Sequence, residues 1–274
     1  MPLVIDDITA HDFRTTGISV LSRISAAQQE ILPVRLLLLD LDGAGGEVLS
    51  ALLALLSNTP LQVDLSFTPR AGAEYDGLVA WSEQPDLRDD LPASPASLLI
   101  GEAARSALRQ RHGIVADQLT RPLAESLPHQ IAGDGSPLVA GQEPVVTVPV
   151  ARTWRIGFEA VSAVPGLEIL AHSPKAGVHL IHEPAIRRLY VLNQLALTPL
   201  GYARRLRRLS VAGDPASHPP DHLVSGPGQA WRSHAHLLVS AWLNSDVYQP
   251  ASLAAWLQPA GSTPAASAAA SSES

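Results

Sequence analysis

The first half of the chain alternates between short apolar runs and amphipathic segments. The almost continuous apolar run at residues 34–40 predicts a strand buried on both faces, as in a parallel sheet. Residues 47–57 then show helical periodicity, which ends before Pro60. Further strands are predicted at residues 61–67 and 76–81. This alternation predicts one α/β domain with a parallel sheet.

A strand, a tight turn and a helix follow one another directly at residues 97–111. Residues 97–100 form a short apolar run, Gly101 is the turn, and residues 102–111 have a helical pattern. This arrangement is an elbow, the device that lifts a nucleophile above a sheet. Here a glycine stands in the place of the nucleophile. Because glycine tolerates strained backbone at the least cost, we expect the turn to persist without that chemistry.

The second half of the chain has a weaker pattern. We expect residues 114–144 to be mixed and loop-rich. The later segments are predicted as strands at residues 144–151, 167–171, 177–182 and 188–193, a basic helix at 199–209, and a final helix at 230–247.

The predicted organisation has three parts. Residues 1–22 form a polar N-terminal arm, residues 23–250 form a single α/β domain, and residues 259–274 form a tail rich in alanine and serine. A tail of this low-complexity composition is expected to be disordered.

Composition narrows the function classes. The 274 residues include no cysteine, which excludes a disulfide scaffold, a thiolate zinc site, an iron–sulfur cluster and a cysteine nucleophile. With a formal net charge of -7, no nucleic-acid partner is expected. No apolar run approaches the ~20 residues of a membrane span, and the N-terminus is acidic where a secretory signal would be basic. We predict a soluble, cytoplasmic protein without a membrane partner.

Two stretches are more specific than composition. Residues 55–64 read LLSNTPLQVD and residues 231–249 read WRSHAHLLVSAWLNSDVYQ. Together they resemble the homoserine O-succinyltransferase family, acyl-CoA-dependent enzymes of methionine biosynthesis. A weaker match is GLEILA at residues 166–171. The resemblance extends from about residue 23 to residue 249, with a shortened loop between Trp81 and Ser97.

The resemblance implies a class I glutamine amidotransferase-like (flavodoxin-like) domain of three layers. In that family a cysteine at the elbow carries the acyl group, a histidine of a GHPE-like motif activates it, and the glutamate of the same motif orients the histidine. Placed without gaps on this sequence, these positions fall on Gly101, Gln194 and Ala196. None of these residues can do the corresponding chemistry, so the covalent mechanism is predicted to be absent.

The resemblance also implies two arginines that bind the substrate carboxylate, at Arg208 and Arg152. A guanidinium suits a carboxylate because it donates two parallel hydrogen bonds. Arg208 shares a basic helix with Arg204, Arg205 and Arg207, and that helix could bind an acidic partner instead.

The residues that bind the acyl donor in the family have fewer counterparts in this sequence. The family uses a lysine after the elbow helix, where this chain has Arg121 as the nearest substitute. We therefore expect no cofactor, and acyl-CoA only in the role of a substrate.

Other constellations give weaker signals. Histidine is a common metal ligand, and the candidate ligands are His179, His182, His234 and His236. However, His234 and His236 are two residues apart and face different sides of a helix. We therefore expect no metal site. Glu102 is a candidate base, although a carboxylate at a helix start is also favoured by the macrodipole. Ser82 and Ser106 have no identifiable base.

Three functional hypotheses remain open. The first is a catalytically inactive homologue that binds an amino acid or regulates amino-acid metabolism. The second is an O-acyltransferase for homoserine or a related amino acid, acting by direct, non-covalent transfer with Glu102 or a histidine as base. The third is an interaction protein that pairs with an active relative through the surface carrying WRSH. The family resemblance implies a homodimer, and a mixed oligomer is the alternative.

Overall fold

The computed structural model describes residues 3–5, 18, 20–28, 33–43, 46–84, 91–133, 135–193, 195 and 230–250. Its strands, in chain order, are β1 (Leu3–Ile5), β2 (Val20–Ser22), β3 (Val34–Asp40), β4 (Val63–Ser66), β5 (Gly77–Ser82), β6 (Ser97–Gly101), β7 (Asp117–Ile131), β8 (Val145–Arg155), β9 (Glu168–Ser173), β10 (Gly177–Glu183) and β11 (Arg188–Val191). Its α-helices are α1 (Arg23–Ala27), α2 (Gly46–Ser57), α3 (Glu102–His112), α4 (Phe158–Ser162) and α5 (Ala230–Trp242).

The described strands form a single sheet in the order β2-β1-β4-β3-β5-β6-β11-β10-β9-β7-β8. From β2 to β11 every neighbouring pair is parallel. Beyond β11 the pairs are antiparallel. The predicted parallel sheet is therefore confirmed for the part that carries the elbow, and an antiparallel extension continues it.

Alternate residues of the central strands pack on opposite faces of the sheet. Leu98 and Ile100 belong to a core cluster that includes residues of α2 and α5. Leu99 points to the other face and joins a cluster with Ala104 and Leu108 of α3. Each fully buried leucine contributes roughly 1.5–3 kcal/mol of transfer free energy. The helices on both faces produce the predicted three layers.

The predicted elements of the first half agree closely with the structure. The strand predicted at residues 34–40 is β3, and the helix predicted at 47–57 begins one residue earlier, as α2. The strand and helix on either side of the turn at residue 101 are β6 and α3. These elements were predictable because each has a continuous apolar run or a clear helical period.

The prediction that residues 114–144 are loop-rich was wrong. β7 occupies Asp117–Ile131 and pairs along its length with β8. Its side chains are mostly exposed or half-buried, and it contains Pro122 and Pro128, so it lacks the apolar alternation by which strands are usually detected. Main-chain hydrogen bonds to β8, the next strand along the chain, define this strand instead.

Two segments of the predicted N-terminal arm are strands. β1 pairs in parallel with β2 and, through Val4, with Asp64 of β4. Leu3, Val4 and Ile5 are at most 1% exposed. The sheet thus extends to the beginning of the chain.

The C-terminal helix changes its winding at residue 243. α5 ends at Trp242 and continues as a π-helical segment, Leu243–Tyr248, with Leu243 and Val247 in the core. No helix within the described ranges combines the length and the apolar character needed to span a membrane. The basic helix predicted at residues 199–209 and the tail at 259–274 lie outside the described residues.

Candidate functional site

The chain turns sharply where β6 meets α3. Gly101 is buried and has φ 66° and ψ −125°. Residues with a Cβ adopt such a positive φ only at a cost. Glu102, the next residue, is the first residue of α3. The predicted strand–glycine–helix elbow is present.

The elbow lies at the carboxyl ends of neighbouring parallel strands. Ser82 of β5 is opposite Gly101, and on the other side Val191 of β11 is opposite Ile100. In open α/β sheets, ligands bind beyond the carboxyl ends of the strands. Gly101 thus occupies the edge where a reacting group or a ligand is expected.

A small cavity lies over this turn. Its volume is about 10 Å³, roughly what a single water molecule requires. The described residues that line it come from β6, the start of α3, β8 and the end of β11: Gly101, Glu102, Ala151, Arg152, Trp154, Leu192 and Asn193.

Glu102 is buried beside the elbow, with 8% of the residue exposed. Its Oε1 accepts a hydrogen bond from Nε1 of Trp154 at 2.5 Å. Its Oε2 lies 3.1 Å from Nη1 of Arg105, one turn further along α3. A carboxylate in the first turn is also favoured by the helix macrodipole. These contacts favour the role of a helix-start carboxylate over that of a base.

Arg152 of β8 is buried in the same place. Its Nη2 donates to the carbonyl of Ala176 at 2.7 Å, and its Nη1 donates to the carbonyl of Leu192 at 3.2 Å. Its guanidinium carbon lies 4.5 Å from the centre of the Trp154 ring. Burial lowers the pKa of Arg152 to about 9, although the Glu102 carboxylate opposes this shift. At neutral pH Arg152 is a buried cation whose terminal nitrogens are engaged by main-chain carbonyls.

The remaining predicted site residues cannot be placed beside these two. Gln194, Ala196 and Arg208 lie outside the described residues. The chain does reach the elbow immediately before them, because Leu192 and Asn193 line the cavity.

Three buried histidines form a cluster that reaches the elbow cavity through Asn193. His129 of β7 and His179 of β10 are 0% exposed, and His234 of α5 is 3% exposed. Nε2 of His179 is 3.3 Å from Nε2 of His234, and the rings of His129 and His179 have centres 5.2 Å apart. The sequence drew attention to His179 and His234 but not to His129. Nothing in the local pattern of β7 distinguishes His129. The three histidines come from separate elements, so the cluster forms only when those elements pack together.

The hydrogen-bond partners assign the protons of this cluster. Nδ1 of His234 faces Oε1 of Gln142 at 3.0 Å, so Nδ1 donates. Nε2 of a neutral His234 is then an acceptor, and the contact with His179 requires Nε2 of His179 to donate. Nδ1 of His129 donates to the carbonyl of Leu127 at 2.9 Å. All three rings can be neutral with these partners.

Burial favours this neutral state. It lowers the pKa of His129 and that of His234 to about 4, and it holds the pKa of His179 well below the ordinary histidine value. Asn193 links the cluster to the elbow, because its Nδ2 donates to Nε2 of His129 at 3.1 Å while the residue also lines the cavity.

Two of the other polar candidates, His182 and Ser82, are hydrogen-bonded to aspartates. His182 contacts Asp246 of the π-helical segment at 3.1 Å. Ser82 donates its hydroxyl to Asp42 at 2.9 Å, and the buried hydroxyl of Ser106 has no partner in the described part of the chain. Across the described ranges, no group of three or more histidine, aspartate or glutamate side chains is arranged to hold a metal ion.

Comparison with known proteins gives a consistent result. A family model described as Homoserine O-succinyltransferase matches residues 89–253. A homoserine O-acetyltransferase from Synechococcus elongatus is 28% identical over 298 residues, covering 92% of this chain and 100% of that protein. A homoserine O-acetyltransferase from Novosphingobium aromaticivorans is 29% identical over 291 residues, covering 91% of this chain and 96% of that protein.

Solved structures support the fold. A glutamine amidotransferase from Thermotoga maritima superimposes with a TM-score of 0.55 at 9% sequence identity. The match covers 79% of this chain and 99% of that chain. At such low identity the likeness bears on architecture alone, and it confirms the predicted glutamine amidotransferase-like fold.

Proposed function

Because the chain belongs to the homoserine O-succinyltransferase family, we propose that it is a non-catalytic homologue of these acyltransferases, with a binding or regulatory role in amino-acid metabolism. The observation that carries the proposal is the residue at the elbow. Gly101 holds the strained turn, and the 274-residue chain contains no cysteine. An acyl group therefore has no thiol on which it can be carried.

The surroundings of Gly101 support the same conclusion. Covalent acyl transfer needs a nucleophile, a base beside it and a group that orients the base. At the positions that the family resemblance implies for the base and its orienting group, the chain carries Gln194, whose side chain does not titrate, and Ala196, which has no polar group. In the described part of the chain, the buried contacts of Glu102 and Arg152 with Trp154 lie beside a cavity of about 10 Å³ over the turn.

The activity test uses the purified full chain with homoserine and either succinyl-CoA or acetyl-CoA. We expect no release of coenzyme A above the rate of a protein-free control. A matched triple variant, Gly101→Cys with Gln194→His and Ala196→Glu, introduces the triad residue types at the three positions that the family resemblance implies. In intact-mass measurements we expect the unaltered chain to gain no acyl group, and an acyl group on the variant would attribute that absence to these three positions.

Turnover by the unaltered chain at the rate of an enzyme would overturn the proposal and support direct transfer through a ternary complex. Glu102→Gln then identifies the base. Loss of that turnover would assign the role to Glu102, and unchanged turnover would exclude it.

The proposed ligand is an amino acid, by analogy with the homoserine named in the relatives. Arg208 is the candidate carboxylate contact, because the terminal nitrogens of Arg152 already donate to main-chain carbonyls. Titration calorimetry with homoserine tests the idea, with Arg208→Ala expected to weaken binding and Arg205→Ala, in the same basic segment, as the matched control. Heat changes that are equal for both variants would contradict a specific role for Arg208.

We also propose that this chain pairs with another protein, which is either a second copy of this chain or an active relative. Trp231 and His234 of the WRSH motif are buried, whereas Arg232 and Ser233 are exposed. A partner that meets this motif would therefore touch Arg232 and Ser233. Native mass spectrometry with and without an active relative distinguishes a homodimer from a mixed pair.

A further inference from the structure

The loops that follow β3 and β5 meet at the carboxyl edge of the sheet. Oδ2 of Asp42 accepts hydrogen bonds from the main-chain N–H of Glu83 at 2.6 Å, from the main-chain N–H of Gln84 at 2.9 Å, and from the hydroxyl of Ser82 at 2.9 Å. Asp42 and the two N–H donors are 41 and 42 residues apart in the chain, so this is a tertiary contact.

These three donors form an arrangement that suits an anion. Successive main-chain N–H groups that converge on one point form a nest, which binds negatively charged oxygen atoms. Here a side-chain hydroxyl adds a third donor. Ser82 is 2% exposed, while Glu83 is half-buried and Gln84 is exposed, so the nest lies at the surface and can be reached from solvent.

The nest is a neighbour of the elbow. Ser82 is directly opposite Gly101 in the sheet, and adjacent strands are roughly 4.8 Å apart. Elbow enzymes hold the oxygen of a reacting acyl group with the N–H of the residue after the nucleophile and an N–H from a neighbouring strand-to-helix loop. Glu83 and Gln84 directly follow β5, the strand that pairs with β6.

We propose that Ser82, Glu83 and Gln84 form a binding site for a carboxylate or a similar oxyanion, and that Asp42 fills this site from within the chain. A tethered carboxylate has a high effective concentration, so a free anion does not displace it. The inference rests on the proposed function, since an oxyanion position can be filled permanently only where no acyl transfer is catalysed. The chain then differs from a covalent acyltransferase in two ways: it has no nucleophile at the elbow, and a carboxylate of its own occupies the anion site.

The test is chemical rescue of an excised carboxylate, and it needs no acyl chemistry. Asp42→Ala empties the nest. In sodium chloride we expect its Tm to be lower than that of the unaltered chain. In sodium acetate or formate at equal ionic strength we expect its Tm to rise with the anion concentration, while the unaltered chain does not respond.

Asp40→Ala is the matched control, because Asp40 accepts a hydrogen bond from the N–H of Gly43 within its own loop. We expect no response of this variant to acetate beyond that to chloride. An equal response of all three chains would be a general salt effect and would overturn the inference. Absence of any acetate response in Asp42→Ala would also overturn it.

Asp42→Asn keeps the inference testable if Asp42→Ala does not fold. Its amide has the same shape but no charge. We expect faster hydrogen exchange at the main-chain amides of Glu83 and Gln84 than in the unaltered chain, and unchanged exchange would contradict the anion site. None of these results depends on catalysis, so a failed nest and a failed functional proposal are distinguishable.

Discussion

Trp154 donates its indole N–H to Glu102 at a distance of 2.5 Å, and this bond connects β8 to the first turn of α3. The guanidinium carbons of Arg105 and Arg152 lie 5.2 Å and 4.5 Å from the centre of the same indole ring. A buried carboxylate is costly unless it is paired and hydrogen-bonded. The indole and the two cations together stabilise the negative charge of Glu102 beside the elbow.

Replacing the indole removes one of these contacts. Trp154→Phe keeps an aromatic ring but deletes the donor to Glu102, and we expect the free energy of unfolding to fall by about 1–3 kcal/mol. Urea denaturation measures the loss. In a double-mutant cycle with Glu102→Gln, the two losses should couple, since the residues are in direct contact. Additive losses would show that the bond contributes nothing measurable.

The histidine cluster should make stability depend on pH. The pKa of His129 and that of His234 are about 4 in the folded chain, against 6.5 for an unperturbed histidine. Between these values the unfolded chain binds more protons, so stability is constant above about pH 6.5 and falls as the pH drops towards 4. When the pH falls from 7 to 5, each of these histidines should lower the free energy of unfolding by about 2 kcal/mol.

The measurement is urea denaturation at pH 7 and pH 5. His129→Gln removes one of the titrating rings and should reduce the pH-dependent loss by about 2 kcal/mol. His236→Gln changes a half-buried histidine of α5 outside the cluster and is the control. An equal pH dependence in the two variants would contradict the assignment to His129.

A side chain at the elbow should lower the stability of the fold. Gly101→Ala places a Cβ on a residue with φ 66°, and we expect a loss of about 1–3 kcal/mol. Gly46→Ala is the control, because a Cβ at Gly46 meets nothing within 4 Å and alanine favours the helix it begins. Thermal unfolding should show a lower Tm for Gly101→Ala and an unchanged or higher Tm for Gly46→Ala. Equal Tm values would mean that the turn relaxes without strain.

Glu183 joins β10 to neighbouring elements through a buried hydrogen-bond cluster. Its carboxylate accepts from Oη of Tyr190 at 2.8 Å and from Nε of Arg111 at 3.0 Å. Burial raises the pKa of Glu183, but the hydrogen bonds from Tyr190, Arg111 and His112 outweigh it and keep that pKa below its ordinary value.

Tyr190→Phe removes one of these donors. We expect a loss of about 1–3 kcal/mol at neutral pH. The loss should shrink in acid, because the lowered pKa of Glu183 contributes stability that disappears once the carboxyl is protonated. Tyr75→Phe, at a hydroxyl with exposed partners, is the control and should change stability by less than about 0.5 kcal/mol. Equal effects of the two substitutions would show that burial of the Glu183 cluster is not decisive.

Local sequence pattern was sufficient for the central part of the fold. β3, β5 and β6 are buried on both faces, so their sequences are continuous apolar runs that identify them without knowledge of their neighbours. The elbow was also predictable, because the strand, the glycine and the helix follow one another without an intervening loop. By contrast, β7 is mostly exposed, and its existence depends on hydrogen bonds to β8 rather than on its own composition.

By itself the sequence determined the family, the α/β class and the absence of a thiol, because these are properties of local patterns and of composition. Only the tertiary structure decided what lies around Gly101. Asp42 reaches donors 41 and 42 residues away, Trp154 meets Glu102 across 52 residues, and His179 meets His234 across 55. Such contacts depend on distances of a few ångströms between separate elements, and no local pattern of residues encodes those distances.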